Sequence, residues 1–336
     1  PSTYMDLTAF DKYVLGRPKI DNVRVEFIPD GGTMLARFLA GAADLATGTG
    51  PNVTQAQQLK TQNWDGQIAI NLGSTHVHLF AQYIDPFNPV LTDKRFHKAL
   101  MYALNRQELV DSIEFGYGGV EDIPWPKSDP HYNDLAASVE KYPYDPQRAA
   151  AMFQAVGYAK GSDGFLQSTS TGKKLEQVEF RTTAEQPFQV AMLAAMSNYF
   201  KEAGLDIQQV PIPQERTADR AYRVSGPGLE ELQFSIGPQS TIGWMHTSKI
   251  PTPENGYTSG NYPRYSNREW DGMIDKFAIT IPENERYAVL KGIFSWVQDN
   301  LMDMAIIYGV GVQLASKRMV VPELNPIWTA ETWDLK

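Results

Sequence analysis

The middle of the chain alternates between strand and helix patterns, and this order restricts the fold more than any other feature. Residues 175–180 have a strand pattern, residues 187–204 carry a helical apolar stripe that includes Val190, Leu193 and Phe200, and residues 205–210 again have a strand pattern. Consecutive strand, helix and strand pack as layers, with the helix lying on the sheet. The sequence therefore predicts an α/β fold.

Composition excludes several classes of protein. The length of 336 residues suggests two domains, and 42% hydrophobic with 21% charged residues is typical of a globular chain. Lys and Arg number 30 against 39 Asp and Glu, and a net charge of −9 argues against nucleic acid or an anionic membrane surface as a partner. The chain has no cysteine, which excludes disulfides, a thiolate nucleophile and Cys-ligated metal. No apolar run approaches the roughly 18 residues of a membrane span.

Five segments carry motifs that are more specific than composition. They are residues 13–46 (YVLGRPKIDNVRVEFIPDGGTMLARFLAGAADLA), 92–110 (TDKRFHKALMYALNRQELV), 144–157 (YDPQRAAAMFQAVG), 202–207 (EAGLDI) and 260–271 (GNYPRYSNREWD). These segments resemble, in the same order, the motif blocks of the peptide/nickel class of bacterial extracytoplasmic solute-binding proteins. One block would be weak support, whereas five in order across nearly the whole chain are strong support.

The resemblance implies a bilobal fold of the periplasmic-binding-protein type, class II, that is incomplete at its N-terminus. Residues 1–80 would form part of lobe one, residues 81–308 lobe two, and residues 309–336 the return to lobe one. The chain begins at Pro1 without a signal-peptide pattern, so we expect that its start is not the native one. Lobe one should then lack strands that the absent N-terminal segment supplies, and should have either an exposed sheet edge or a partner chain there.

The same resemblance implies a function in transport. The protein would deliver a small polar solute, an oligosaccharide or a peptide-like molecule, to an ABC importer, and would need no cofactor. Its partners would be the importer permease subunits and the missing N-terminal part of the same protein, and nucleic acid would not be one. It would act in the periplasm or another extracytoplasmic space, where a lipid anchor on the full-length protein is an option.

The solute site departs from the family pattern. Peptide-binding members carry an acidic residue that pairs with the α-ammonium group of the peptide, whereas residues 233–248 (QFSIGPQSTIGWMHTS) contain none. A buried ammonium without a carboxylate is costly, which disfavours ordinary α-peptides, and aromatic faces with small polar groups suit sugars or other neutral polar solutes. The resemblance places the ligand-binding residues in this segment and in the G-N-Y loop: Phe234, Gly237, Trp244, His246, Asn261 and Tyr262. Trp244 is either a stacking platform or a buried part of the lobe.

A metal site is the next possibility that the sequence raises. His76 and His78 would share one face of a strand, as two metal ligands can. No third ligand is near in sequence, and the remaining histidines are His97, His131 and His246. We therefore interpret the pair as ordinary strand histidines and predict no metal.

Catalytic motifs are weaker still. Ser170 and Lys173 have the spacing of a Ser/Lys nucleophile motif but fall in a glycine-containing turn. Glu230 and Glu231 are adjacent, so a strand would point them to opposite faces. We predict no enzymatic activity, and the alternatives to a transport role are a hydrolase on a related α/β frame and a chemosensory binding protein.

Overall fold

The structure is a computed structural model that describes residues 3–28, 30–46, 51–184, 187–235, 240–320 and 327–336. The chain divides into two compact units. Unit one comprises Pro1–Leu72 and Val310–Lys336, and unit two comprises Gly73–Gly309.

Helices and strands alternate along most of the chain. The helices are α1 (Gly31–Leu39), α2 (Val53–Thr61), α3 (Lys94–Ala103), α4 (Arg106–Ile113), α5 (Tyr132–Ala137), α6 (Pro146–Ala155), α7 (Pro187–Ala203), α8 (Gln214–Thr217), α9 (Arg220–Val224), α10 (Ser240–Gly243), α11 (Arg268–Ile279) and α12 (Glu283–Asn300). The strands are β1 (Tyr4–Thr8), β2 (Asn22–Glu26), β3 (Leu45–Ala46), β4 (Gln67–Ala81), β5 (Gly119–Val120), β6 (Tyr158–Lys160), β7 (Leu166–Ser168), β8 (Val178–Thr183), β9 (Ile207–Ile212), β10 (Leu229–Ser235), β11 (Met304–Ala315), β12 (Met319–Val320) and β13 (Asp334–Leu335).

The predicted strand–helix–strand layering is present in unit two. Strands β8 and β9 are parallel, β10 is parallel to β8 and antiparallel to β4, and α7 connects β8 to β9. Phe200 of α7 packs on Phe180 of β8 with ring centroids 5.8 Å apart, and both side chains are buried. Burial of this kind contributes roughly 1.5–3 kcal/mol for each large apolar side chain. The α/β prediction is therefore confirmed.

A second apolar core of unit two contains side chains from α11 and α12. Trp270 and Phe277 of α11 and Phe294 of α12 belong to it, together with Trp125 from the chain between β5 and α5. Trp125 meets Phe294 edge-on, with ring centroids 5.7 Å apart. Trp244 packs against this core as a partly buried side chain.

Unit one is built around α1 and α2. Phe38 and Leu59 are buried with Leu314 of β11, and Asn52 forms a capping box with Gln55 at the start of α2, as its position before the helix predicted. Exposed apolar side chains are common in the same unit. All of β1 is exposed, and between β1 and β2 the exposed fractions reach 72% for Leu15 and 88% for Val14.

Several local predictions were wrong for identifiable reasons. The sequence pattern predicts separate strands at residues 67–72 and 76–83, and again at 304–309 and 312–316. In the structure each of these two pairs is one strand, β4 and β11, which are neighbours in the sheet. The pattern also predicts a loop over 124–143, which instead contains α5, and a helix capped by Thr92. Asp93 caps that helix, α3, since its carboxylate accepts the backbone N–H of Arg95.

No helix in the described ranges has both the length and the apolar character needed to cross a membrane.

Gly228, directly before β10, lies where the backbone comes close to β8. A Cβ atom at this position would lie 2.0 Å from the carbonyl oxygen of Glu179, so a Gly228→Ala change must push β10 away from β8. We expect a loss of about 2–3 kcal/mol in unfolding free energy, in the range of overpacked cores. Urea denaturation of both proteins measures it.

Gly272→Ala is the matched control, because Gly272 lies inside α11 with nothing within 4 Å of the added Cβ. This change should stabilise the protein by about 0.5–1 kcal/mol, since alanine loses less backbone entropy in a helix. Equal effects of the two substitutions would contradict the strand-approach argument.

Candidate functional site

Three of the residues predicted to bind a ligand are brought together in unit two. The ring of Phe234 on β10 lies 5.4 Å from that of Trp244 and 6.1 Å from that of Tyr262, and it is nearly parallel to the latter. All three side chains are half-buried. We call Phe234, Trp244 and Tyr262 the aromatic cluster. Half-buried aromatic rings of this kind offer a face for stacking and apolar contact.

Trp244 contacts the interior on one side. Its ring meets Phe80 and His78 edge-on, with centroids 6.4 Å and 5.7 Å away. The side chain is neither fully buried nor fully exposed, so it both completes the second core and presents area outward. The two interpretations of Trp244 made from the sequence are therefore compatible with each other.

His246 connects the loop that carries Trp244 to α11. Its Nδ1 atom bonds to Ser248, and its Nε2 atom lies 3.8 Å from Asp271 and 3.6 Å from Asp275. Asp271 also accepts the backbone N–H of Thr247 at 2.9 Å. Two carboxylates of α11 thus lie beside residues 233–248, a segment that contains no acidic residue of its own. The one sequence signal for this was that residue 271 ends the fifth motif.

Asn261 is fully buried and holds this loop together. Its amide nitrogen donates to the carbonyl oxygens of Tyr265 at 2.8 Å and Met245 at 3.0 Å, and its amide oxygen accepts the N–H of Tyr265 at 3.0 Å. Trp270 donates its indole N–H to the same carbonyl of Met245. The polar atoms of Asn261 therefore fix the backbone on either side of the aromatic cluster. Gly237 lies outside the described residues.

Behind the aromatic cluster, two histidines meet two carboxylates in the interior. His76 and His78 project from the same face of β4, as their spacing predicted, and their Nε2 atoms are 2.7 Å apart. The Nδ1 atom of His78 lies 2.6 Å from Asp303, and that of His76 lies 3.1 Å from Glu121. All four residues are buried. Among the residues that the structure describes, no group of three or more histidine or acidic side chains could hold a metal ion.

The elements explain how these four groups meet. Glu121 follows β5, which pairs with β11, and Asp303 directly precedes β11, which lies next to β4 in the sheet. Burial raises the pKa of the Glu121 carboxyl well above its usual range, and burial lowers the pKa of the His76 imidazole well below its own. The sequence showed the two histidines but not their partners, which are 45 and 225 residues away.

The residue pairs considered for catalysis do not come together. Glu231 accepts a hydrogen bond from Thr182 at 2.6 Å, whereas Glu230 lies 3.6 Å from Arg223. Burial raises the pKa of Glu230 to about 7 and that of Glu231 to about 8. In the exposed turn, Ser170 bonds to Ser168, and Lys173 pairs with Glu176.

Comparison with known proteins identifies relatives along most of the chain. Residues 1–239 match the family described as bacterial extracellular solute-binding proteins, family 5 middle. Heme-binding protein A of Haemophilus influenzae is 24% identical over 321 residues, which cover 93% of this chain and 53% of that protein. The oligopeptide-binding protein AppA of Bacillus subtilis is 25% identical over 293 residues, covering 85% of this chain and 50% of that protein. The chain thus spans about half the length of these curated relatives.

Solved structures show the same fold. NikZ from Campylobacter jejuni, in complex with Ni(L-His), superposes with a TM-score of 0.82 at 18% identity, covering 98% of this chain and 65% of that one. AppA from Bacillus subtilis, in complex with a nonapeptide, gives 0.72 at 19% identity, with 99% and 64% covered. The predicted class II binding-protein fold is confirmed. The family match spans more than half of the residues of this chain, and the chain therefore belongs to the family 5 bacterial extracellular solute-binding proteins.

Proposed function

We propose that this chain is part of an extracytoplasmic solute-binding protein that delivers a small polar solute to the permease subunits of an ABC importer. Membership of a solute-binding family is the observation that carries the proposal. The binding surface would be the aromatic cluster with His246, and Asn261 would hold that surface in place. Ser170 bonds to Ser168 whereas Lys173 pairs with Glu176, and Glu230 and Glu231 also have different partners. These contacts support a binding role without catalysis.

The solute that we favour is peptide-like, with an oligosaccharide as the alternative. Relatives named for oligopeptide binding support the first class, and the stacking faces of the aromatic cluster would suit either. Asp271, which lies near His246, already accepts the N–H of Thr247. A ligand ammonium would have to compete for it. We therefore propose a peptide-like solute whose N-terminus is not held by a carboxylate of this segment.

The exposed ribbon of unit one supports a further part of the proposal. Strands β1 and β2 pair with each other, and Met5, Leu7 and Phe27 in or beside them are 44–55% exposed. Val14 and Leu15, in the connection between the two strands, are more exposed still. Apolar side chains exposed to this extent are typical of a surface that other protein segments cover. We propose that another part of the same full-length protein covers it, and that this protein acts in the periplasm or is held outside the cytoplasm by a lipid anchor.

Trp244→Ala in the full-length protein tests the aromatic cluster. We expect solute affinity to fall about tenfold or more, because stacking contributes roughly 1 kcal/mol and lost apolar burial adds to it. Native mass spectrometry first identifies the solute that the purified protein carries, and calorimetric titration of that solute then compares the two proteins. Trp64→Ala is the matched control, since Trp64 is another half-buried tryptophan and packs on Phe38 in unit one.

Equal affinities would remove Trp244 from the site. A large fall in melting temperature confined to the Trp244 variant would instead show that its main role is in the second core.

Peptides with an acetylated N-terminus test whether the solute site lacks a carboxylate partner for the ammonium group of a peptide. We expect N-acetyl-trialanine to bind the full-length protein at least as tightly as free trialanine, because a buried ammonium without a carboxylate is costly. Isothermal titration with both peptides, and with maltotriose as a sugar probe, measures the difference. Tighter binding of free trialanine by tenfold or more would contradict the proposal. Binding of maltotriose without either peptide would establish the oligosaccharide alternative.

A further inference from the structure

Four buried titratable side chains of unit two form one hydrogen-bonded chain, in the order Asp303, His78, His76, Glu121. The three contacts measure 2.6, 2.7 and 3.1 Å, and the side chains are 0–3% exposed. Hydrogen bonds of these lengths each contain one hydrogen between the two heavy atoms. The geometry therefore requires three hydrogens on four groups. We call Asp303, His78, His76 and Glu121 the buried proton chain.

Ordinary protonation states supply too few hydrogens. Two ionised carboxylates contribute none, and two neutral imidazoles contribute one each, which leaves one of the three contacts with two acceptors facing each other. A third proton resolves this conflict and reduces the magnitude of the group's negative charge, from −2 to −1. Burial acts in the same direction, since each charge removed from water costs several kcal/mol, as an order of magnitude.

The surroundings decide where the third proton resides. The second carboxylate oxygen of Glu121 is buried and has no hydrogen-bond partner, which is costly for an ionised group. Arg106 donates to the backbone carbonyl of Glu121 and pairs with Asp122 at 3.3 Å, so its charge is shared. Lys127 lies over the ring of Tyr308, 4.7 Å from its centroid.

The remaining titratable groups on this side are hydroxyls. Tyr308 is directed to the carbonyl oxygens of Ile123 and Trp125, and it also contacts the hydroxyl of Tyr132. Neither tyrosine hydroxyl donates a hydrogen bond to the carboxyl group of Glu121. Burial, followed by the negative charge of Asp303, raises the pKa of Glu121 well above its usual range, in agreement with this environment.

We infer that Glu121 is protonated in the folded protein and that its proton sets the two histidines in opposite neutral tautomers. The O–H of Glu121 donates to Nδ1 of His76, Nε2–H of His76 donates to Nε2 of His78, and Nδ1–H of His78 donates to the carboxylate of Asp303. Every contact then has one donor and one acceptor. The single negative charge lies on Asp303.

This arrangement gives Glu121 a positioning role that reaches the aromatic cluster. The ring of His78 meets Phe234 and Trp244 edge-on, with centroids 5.3 Å and 5.7 Å away. Its orientation is fixed at both nitrogens by the buried proton chain. An effect of this ring orientation on ligand binding rests on the proposed function. The assignment of the protons depends only on the hydrogen-bond contacts within the buried proton chain.

Glu121→Gln tests the assignment through the pH dependence of stability. The glutamine amide can donate to His76 in place of the acid and cannot ionise, so all three contacts persist without a third titratable proton. In the wild type, the unfolded Glu121 loses its proton above its ordinary pKa of 4.5, whereas the folded protein keeps it. Raising the pH should therefore destabilise the wild type relative to the variant, until the raised folded pKa is reached.

We expect the ratio of the two unfolding constants, wild type over Glu121→Gln, to rise with pH above pH 5.5, by up to about tenfold for each pH unit, because unfolding then releases one proton. Urea denaturation of the full-length protein at a series of pH values measures it. Glu285→Gln, at an exposed position in the first turn of α12, is the control and should give a constant ratio. A constant ratio for Glu121→Gln as well would overturn the inference.

Nitrogen NMR of the wild type gives an independent answer should the variant fail to fold. In long-range spectra of ¹⁵N-histidine-labelled protein at pH 7, we expect a neutral His76 protonated at Nε2 and a neutral His78 protonated at Nδ1. His76→Gln and His78→Gln variants assign the two signals among those of His97, His131 and His246. The same tautomer at both positions, or a doubly protonated His78, would place the third proton elsewhere and refute the inference.

Discussion

The alternation of side chains along β4 is the constraint on which the rest of unit two depends. Val77 and Leu79 face the apolar core that contains Phe180 and Phe200. His76, His78 and Phe80 face the aromatic cluster and the second core. Antiparallel pairing with β10 fixes this register and sets Phe234 opposite His76. A slip of one residue would exchange the two faces and place both imidazoles among aliphatic side chains. Burial of apolar side chains on one face of β4 therefore also fixes the positions of the polar side chains on its other face.

Two members of the aromatic cluster are held in place by side-chain hydrogen bonds and not by regular secondary structure. Trp244 and Tyr262 lie on irregular backbone, where few main-chain hydrogen bonds are available to define position. The carbonyl of Met245 receives both the amide of Asn261 and the indole N–H of Trp270. Buried backbone groups need such partners, and here the partners come from the sequence motif that resembles the family. The loop is thereby attached to α11.

Buried acids in unit two are accommodated in different ways. Glu230 lies beside Arg223, Glu231 accepts from the hydroxyl of Thr182, and Glu121 meets an imidazole. An ionised carboxylate in the interior needs a cation or several donors, and a group that lacks them takes up a proton. Burial is the largest cause of the raised pKa of all three acids, even of Glu230, whose pKa is partly lowered by the charge of Arg223. Neutral acids can donate as well as accept, which makes directional chains possible.

The sequence alone determined the local elements and the family. Asp145 followed by Pro146 predicts a helix start, Asn52 predicts an N-cap, and the pattern around α7 predicts strand, helix and strand. Each of these depends on neighbouring residues, and each is present in the structure. The ordered motifs led to the same family as the comparisons. Continuity of β4 through Gly73 was missed, since it depends on pairing with distant strands. Only the tertiary structure joined His76 to Glu121 and His78 to Asp303, because the strand pairings that bring them together connect residues far apart in sequence, and no local pattern records such contacts.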